Sequence, residues 1–384
     1  MLTFFSRPLS MAYTPCLFLV LVLPGLTLQA LSLGVGINYG QIANNLPSPS
    51  RVAGLLNSLS ISKVKLYDAD PNVLRAFANT NVEFVVGIGN ELVANITDPD
   101  KALQWLTTHV QPYIPYTKIT CITVGNEIFS GNDTTLITNL VPAMQSLHSA
   151  LQTLGLSHQV NISTAHSLMV LSTSYPPSSG TFKPDIQEYM QSILNFHAET
   201  NSPFLINAYP YFAYKDNPNN VPLNYVLFQP NEGVVDPVTG LSYDNMLYAQ
   251  IDAVYNAIKT LGHPELEVKI SETGWPSKGD ENEAGATPEN AEIYNGNLLK
   301  RIEMGQGTPM RPDVPLHTYV FALFNEDLKP GPTSERNYGL YNPDGTPAYN
   351  IGLNGVLPGY HSGSSSKVRT GLWCILSLII AILI

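Results

Sequence analysis

Eight short runs dominated by apolar and β-branched residues recur along the middle of this 384-residue chain. They are LGVGINYG (33–40), KVKLYD (63–68), VEFVVGIG (82–89), KITCITVG (118–125), QVNISTAH (159–166), PFLINAYP (203–210), ELEVKISE (265–272) and PLHTYVFALFN (315–325). Several are apolar almost throughout, which predicts parallel strands covered on both faces. Stretches of helical spacing fall between them: 50–60, 98–110, 135–155, 185–200, 244–262 and 287–303. The second of these opens on Asp98 and Asp100 and repeats apolar side chains at Leu103, Leu106 and Val110, an acidic start followed by an amphipathic stripe. Eight strands alternating with helices over about 320 residues predict an α/β fold, a (β/α)8 TIM barrel, with an open doubly wound sheet as the alternative. The turn after the first run, VGINYGQ, lacks the GxGxxG spacing of a dinucleotide site. Residues 210–243, rich in aromatics, Asn, Pro and Gly, break the alternation. As an excursion after strand six they lie on the face where barrel loops build active sites, or form a structural cap.

The ends have a different character. Arg7 followed by the apolar run 16–26 reads as a secretory signal over residues 1–30, cleaved near Ala30. Residues 31–357 form the barrel domain. A Ser/Gly linker follows over 358–370, then an apolar tail over 371–384. Small residues, a short spacer with Lys367 and Arg369, and a terminal apolar run are the order of a glycosylphosphatidylinositol signal, with attachment expected in the Ser362 to Ser365 region and the tail removed. A tail-anchor helix is the alternative, but about 14 residues cover only ~21 Å against ~30 Å of hydrocarbon. The expected location is the outer face of the plasma membrane, with the membrane a partner through a lipid anchor and the cell wall as a further destination. The sequons at Asn95, Asn132 and Asn161 fit export. Cys16 and Cys374 lie in the two end segments, so Cys121 stands alone between them and reads as a buried small hydrophobe.

Charged residues make up 13% of the chain, about half the usual share. The surface must then be polar mainly through neutral groups, as suits a protein that handles sugars or carries glycans. Net charge is −11 with no basic run, which argues against nucleic acid. The histidines have no metal-ligand spacing and GxSxG is absent. No metal or cofactor is expected, and the chain is read as a monomer.

Barrel enzymes carry their chemistry at the C-terminal ends of strands. Strand four ends in Val124-Gly125-Asn126-Glu127, and strand seven in Ile270-Ser271-Glu272-Thr273-Gly274-Trp275-Pro276. One such glutamate is usually a loop residue or an ion-pair partner. Two, each in a tight Gly-containing motif at one barrel mouth, suit cleavage of an acetal: one carboxyl protonates the leaving oxygen and the other meets the oxocarbenium-like carbon. Their separation, which decides between retention and inversion, is not readable from sequence.

The motifs GNE (125–127), SETGWPS (271–277), NAYPYFAY (207–214) and FALFNEDLKPGPTSERNYGLYNPDGTPAYNI (321–351) resemble glycoside hydrolase family 17, the plant-type β-1,3-glucanases and related β-1,3-1,4-glucanases. NYGQIANNLPSPS and KLYD fit as well, and the resemblance spans residues 33–352. It implies a retaining endo-hydrolase of β-1,3-glucan, with Glu127 as acid/base and Glu272 as nucleophile. Asn126 suits the substrate's 2-hydroxyl, and Trp275, Tyr39, Tyr67, Tyr209 and Tyr211 suit sugar contact. For each tyrosine, core packing is an equal reading. Glu326, Lys329 and, more weakly, Glu335 match family positions near the active site, or form an ion pair at the barrel mouth. The resemblance also leaves open a mixed-linkage glucanase, a transglucosylase and a surface protein that binds glucan without turnover. Many anchored relatives carry a Cys-rich carbohydrate-binding module after the barrel; none follows Pro358 here, so glucan binding is expected from the groove itself.

Overall fold

The structure, a computed structural model, describes residues 33–353. The expectations for the leader, linker and tail lie outside those residues. Eight strands close into a barrel: β1 (Leu33–Asn38), β2 (Ile61–Lys65), β3 (Glu83–Ile88), β4 (Lys118–Asn126), β5 (Asn161–Ser167), β6 (Phe204–Asn207), β7 (Val268–Thr273) and β8 (Thr318–Val320). Each pairs in parallel with its neighbours in chain order, and β8 closes onto β1 with Val35 opposite Thr318. The (β/α)8 expectation holds, with each strand within a few residues of its sequence run.

Seven helices supply the outer layer: α1 (Pro49–Ser58), α2 (Pro71–Ala76), α3 (Pro99–His109), α4 (Thr134–Thr153), α5 (Gln187–Thr200), α6 (Met246–Thr260) and α7 (Pro288–Glu303). Their starts are written in the sequence. Four open with proline at the first turn, where the missing N–H costs nothing. Asp70, Asp98, Asp133, Asn245 and Thr287 cap helices by accepting a free backbone N–H. The helices press Leu55, Leu74, Leu106, Leu147 and Ile193 onto the outward strand residues Val64, Phe84, Ile122, Ile162 and Ile206 in one continuous core. No long helix follows β8 among the described residues; the segment after it holds one short helical turn, Thr333–Arg336, and its Tyr349 hydroxyl accepts from Asn295 of α7.

The excursion after β6 is a helix (Pro210–Asp216), a short turn of helix (Leu223–Val226) and a two-stranded ribbon (Val234–Val235 with Ser242–Tyr243). A second ribbon after β5 pairs Leu171–Thr173 with Thr181–Phe182. The Asp236 carboxylate ties the two excursions together by accepting from Ser178 N and Oγ, both at 2.8 Å, and from Val238 N and Thr239 N. Burial pulls that carboxyl upward, but these hydrogen bonds outweigh it and hold it at about 2. Cys121 is buried against Val85 and Tyr319, as expected of a small hydrophobe, and burial pushes its thiol up to about 12. Asn95 and Asn132 are exposed, whereas Asn161 opens β5 half-buried at the barrel's N-terminal end, lining a cavity beside Lys63 and His317.

Candidate active site

Backbone irregularities at the C-terminal ends of β4 and β7 aim the two glutamates. In the GNE turn Gly125 has φ +66° and Glu127 itself φ +52°, a left-handed conformation that a non-glycine residue adopts only when neighbours impose it. Those neighbours are visible. Glu127 N donates to Ala165 O at 2.8 Å, and Asn90 brackets the turn by accepting from Asn126 N (2.8 Å) and donating to Asn126 O (3.2 Å). On β7 the pairing with β6 slips by one residue between Ile270 and Glu272. The bulge lets sequence neighbours Ser271 and Glu272 both reach interior groups, which strict alternation forbids.

Glu272 is 6% exposed and fully engaged. Its Oε1 accepts from Lys65 Nζ at 2.8 Å and Tyr67 OH at 2.7 Å, and its Oε2 from Tyr209 OH at 2.9 Å. Burial alone would raise its pKa. The Lys65 ammonium and the three donated hydrogen bonds outweigh burial and hold the carboxyl below its ordinary value. Glu127 shows the opposite balance. Burial and the Glu272 charge raise it, and the hydrogen bond from Asn207 Nδ2 (2.8 Å) with the more distant Lys65 does not compensate. One carboxyl is thus biased toward its ionised form and the other toward its protonated form, the division of labour of an acid and a nucleophile. Asn207 bridges the two strands, donating to Glu127 while accepting from Ser271 Oγ at 2.5 Å.

Both glutamates line one cleft of about 460 Å³ with Tyr67, Asn126, Tyr209, Phe212, Phe321, Glu326, Lys329, Glu335 and Tyr338. The side-chain oxygen of Asn126 is buried without a hydrogen-bond partner among the described residues, an acceptor left open toward a hydroxyl. Glu326 accepts from Ile42 N at 2.7 Å, and burial holds its carboxyl above the ordinary value despite that bond and nearby Lys329. Lys329 pairs with Glu335 at 3.3 Å rather than with Glu326, and lies 4.3 Å from the centre of the Phe321 ring. A shallower groove of about 350 Å³, lined by Asp70, Glu91, Leu92 and Trp105, shares Tyr67 and Asp68 with the cleft. No group of three or more His, Cys, Asp or Glu among the described residues could hold a metal ion.

The structure brings Asn126, Tyr67, Tyr209, Glu326 and Lys329 to the cleft but not the other aromatics named from sequence. Trp275 is fully buried, its Nε1–H donating to Gly285 O at 2.8 Å and its ring packed on Tyr211, which is fully buried as well. Tyr39 is 2% exposed and edge-on to Phe324. These three shape the wall from behind, because the direction of a side chain beyond a strand end depends on loop path rather than on motif. Lys65, Asn207, Phe212 and Tyr338 were not singled out from sequence. A lysine inside the apolar run of β2 was a usable signal, since a charge there requires a buried partner.

Comparison with known proteins places this architecture. The family model for glycosyl hydrolases family 17 matches residues 35–353. The chain belongs to glycosyl hydrolase family 17. This family 17 enzyme is 62% identical to glucan endo-1,3-beta-glucosidase 14 of Arabidopsis thaliana, over 93% of its own length and 92% of that protein's. It is 60% identical to glucan endo-1,3-beta-glucosidase 11 of the same plant, over 85% and 77%. Among solved structures it resembles a beta-1,3-glucanase and allergen of Cryptomeria japonica pollen (TM-score 0.80, 42% identity, 83% of this chain and 98% of that one).

Proposed function

We propose that this glycoside hydrolase cleaves internal β-1,3-glucosidic bonds of a callose- or laminarin-type glucan with retention of configuration. The observation that carries the reading is the pair of carboxyls in one cleft with unlike surroundings, Glu272 held by Lys65, Tyr67 and Tyr209 and lowered in pKa, Glu127 held only by Asn207 and raised. The names of the relatives support the linkage.

In the first step the Glu272 carboxylate attacks the anomeric carbon while Glu127 gives its proton to the departing glycosidic oxygen. A glycosyl ester on Glu272 and a free chain end result. In the second step Glu127, now a carboxylate, takes a proton from water as that oxygen attacks the same carbon and releases Glu272. Lys65, Tyr67 and Tyr209 hold Glu272 for the first step, and Asn126 takes the 2-hydroxyl with its open oxygen. Phe212, 38% exposed at the cleft, offers a face to a pyranose ring.

The test is product analysis of the soluble barrel on laminarin and on mixed-linkage glucan, with the anomer followed by NMR. Laminarin should give β-configured oligosaccharides first, and Glu272→Ala and Glu127→Gln should each remove turnover. An α-anomer first product, or full activity in either variant, overturns the reading. The two end segments support a further proposal, that the enzyme is exported and held outside the cell by a lipid anchor. Release from membranes by a phosphatidylinositol-specific phospholipase tests it, and retention in the pellet counts against it.

A further inference from the structure

The cleft wall carrying Lys329 and Glu335 belongs to the segment after β8, and that segment is laced to the loop after β7 by a set of hydrogen bonds. Ser277 N and Oγ donate to Asn337 O at 2.9 and 3.1 Å. Thr333 N and Oγ1 donate to the two Asp280 oxygens at 2.9 and 2.5 Å. Ser334 N donates to Glu283 Oε2 at 3.0 Å and Ser334 Oγ to Glu283 Oε1. Asp280 N completes the arrangement by donating to Glu283 Oε2 at 2.8 Å.

Glu283 is 7% exposed and Ser334 fully buried, and no cation pairs with Glu283 among the described ion pairs. A buried carboxylate without a cation is costly unless hydrogen bonds compensate it, and the donors here come mostly from one short helical turn. That turn, Thr333–Arg336, begins with free N–H groups at Thr333 and Ser334. Two carboxylates from a separate loop cap them, and the next residue is Glu335. Proline at 332 offers no side-chain cap of its own. Behind the turn, Arg336 donates to the carbonyls of Lys329 and Gly331, so one frame fixes both partners of the Lys329–Glu335 pair.

We propose that Asp280 and Glu283 are positioning residues that set Glu335, and with it Lys329, against the glucan in the cleft. The proposal rests on the hydrolase reading given above. Neither residue touches the cleft; each acts through the turn it caps. Misplacing Glu335 weakens substrate hold, and it also removes one of the negative charges that push the Glu127 carboxyl upward.

The experiment is a double-mutant cycle of Glu283→Gln with Glu335→Gln on the soluble barrel, read as kcat, KM and the pH profile of laminarin hydrolysis. Glu283→Gln keeps the side chain's size but puts an amide NH₂ where N–H and O–H donors converge. Alone it should lower kcat/KM about ten-fold, chiefly through KM, and move the basic limb to lower pH. In the Glu335→Gln background its further effect should be less than about two-fold, the signature of two residues acting through one contact. If Glu283→Gln does not fold, Asp280→Asn at the exposed end of the clamp replaces it, with a smaller KM rise and the same non-additivity expected. A lowered melting temperature with unchanged KM and pH profile, or equal effects in both backgrounds, overturns the clamp while the hydrolase reading stands. A folded wild-type barrel that leaves laminarin intact overturns both.

Discussion

Lys65 is a charged side chain in the interior of a barrel, 1% exposed, and among the described residues its one ion-pair partner is Glu272 at 2.8 Å. Buried pairs seldom add stability over apolar replacements, because desolvation cancels most of the attraction. The pair is better explained by what it does to Glu272, whose carboxyl it lowers against the upward pull of burial. Activity that needs ionised Glu272 is lost as pH falls through its pKa, so raising that pKa moves the acidic limb upward. Lys65→Met should therefore shift the acidic limb of kcat/KM on laminarin to higher pH and cost about 100-fold at the optimum. An unmoved limb would assign Lys65 to packing alone. His166 and His197 offer a second case. Both are fully buried around Phe204, and none of their ring nitrogens has a partner among the described residues. Burial depresses both to about 3, His166 adding to the effect on His197. For a base with a depressed folded pKa, the unfolded chain takes up the proton first. The contribution is whole above the unfolded value of 6.5 and is lost as pH falls from there toward 3. Between pH 7 and 5 each histidine should account for about 2 kcal/mol of lost stability. His197→Phe should flatten the decline by about that amount in urea titrations at the two pH values.

At the scale of elements, the two strands that carry Glu127 and Glu272 end in different devices for the same purpose, a left-handed turn on β4 and a bulge on β7. A Cβ on Gly125 would lie 2.5 Å from Ile128 Cδ1 and 2.8 Å from Asn90 Oδ1. The methyl of Ile128 can yield, but Asn90 is the bracket that holds the turn. Gly125→Ala should cost about 1–3 kcal/mol from the positive φ alone and should depress kcat more than KM; urea unfolding and laminarin kinetics measure the two. Strands and helices were legible because parallel strands covered on both sides need β-branched apolar runs, and because prolines and Asp, Asn and Thr caps mark helix starts chemically. The glutamates were legible because their motifs sit at strand ends. The facing of side chains beyond those ends was not. Trp275 lies three residues past Glu272 and Tyr39 one past β1, and the bulge and loop path turn both into the core. Lys65 and Asn207 escaped notice because their importance lies in contacts 207 and 80 residues away in sequence. The same attention to burial sorts the sequons. Asn95 and Asn132 are exposed while Asn161 sits at the start of a barrel strand, so glycopeptide mass spectrometry of the protein expressed through a secretory pathway should find glycans at the first two and an unmodified Asn161.

Across the whole molecule, the mouth of the barrel is built from the C-terminal ends of β4 and β7 and the segments after β1, β2, β6 and β8, and the groove beside it adds those after β3 and from α3. Tyr67 and Asp68 belong to both depressions, so the trough continues past Glu127 and Glu272 instead of ending there. A chain that cuts internal bonds needs room for several sugars on each side of Glu127 and Glu272, whereas a chain-end cutter needs a wall. Remote contacts of this kind raise kcat/KM through binding energy spent at the reacting centre. On the proposed reading, kcat/KM for laminari-oligosaccharides should keep rising beyond the trisaccharide. Laminarin viscosity should fall well before reducing ends accumulate. Removing a carboxylate of the side groove by Glu91→Ala should reduce the gain from the longest oligosaccharides while leaving the trisaccharide rate unchanged. A kcat/KM that is flat from the disaccharide onward, with glucose as the first product, would mean that the trough is closed in solution and that the enzyme works from chain ends.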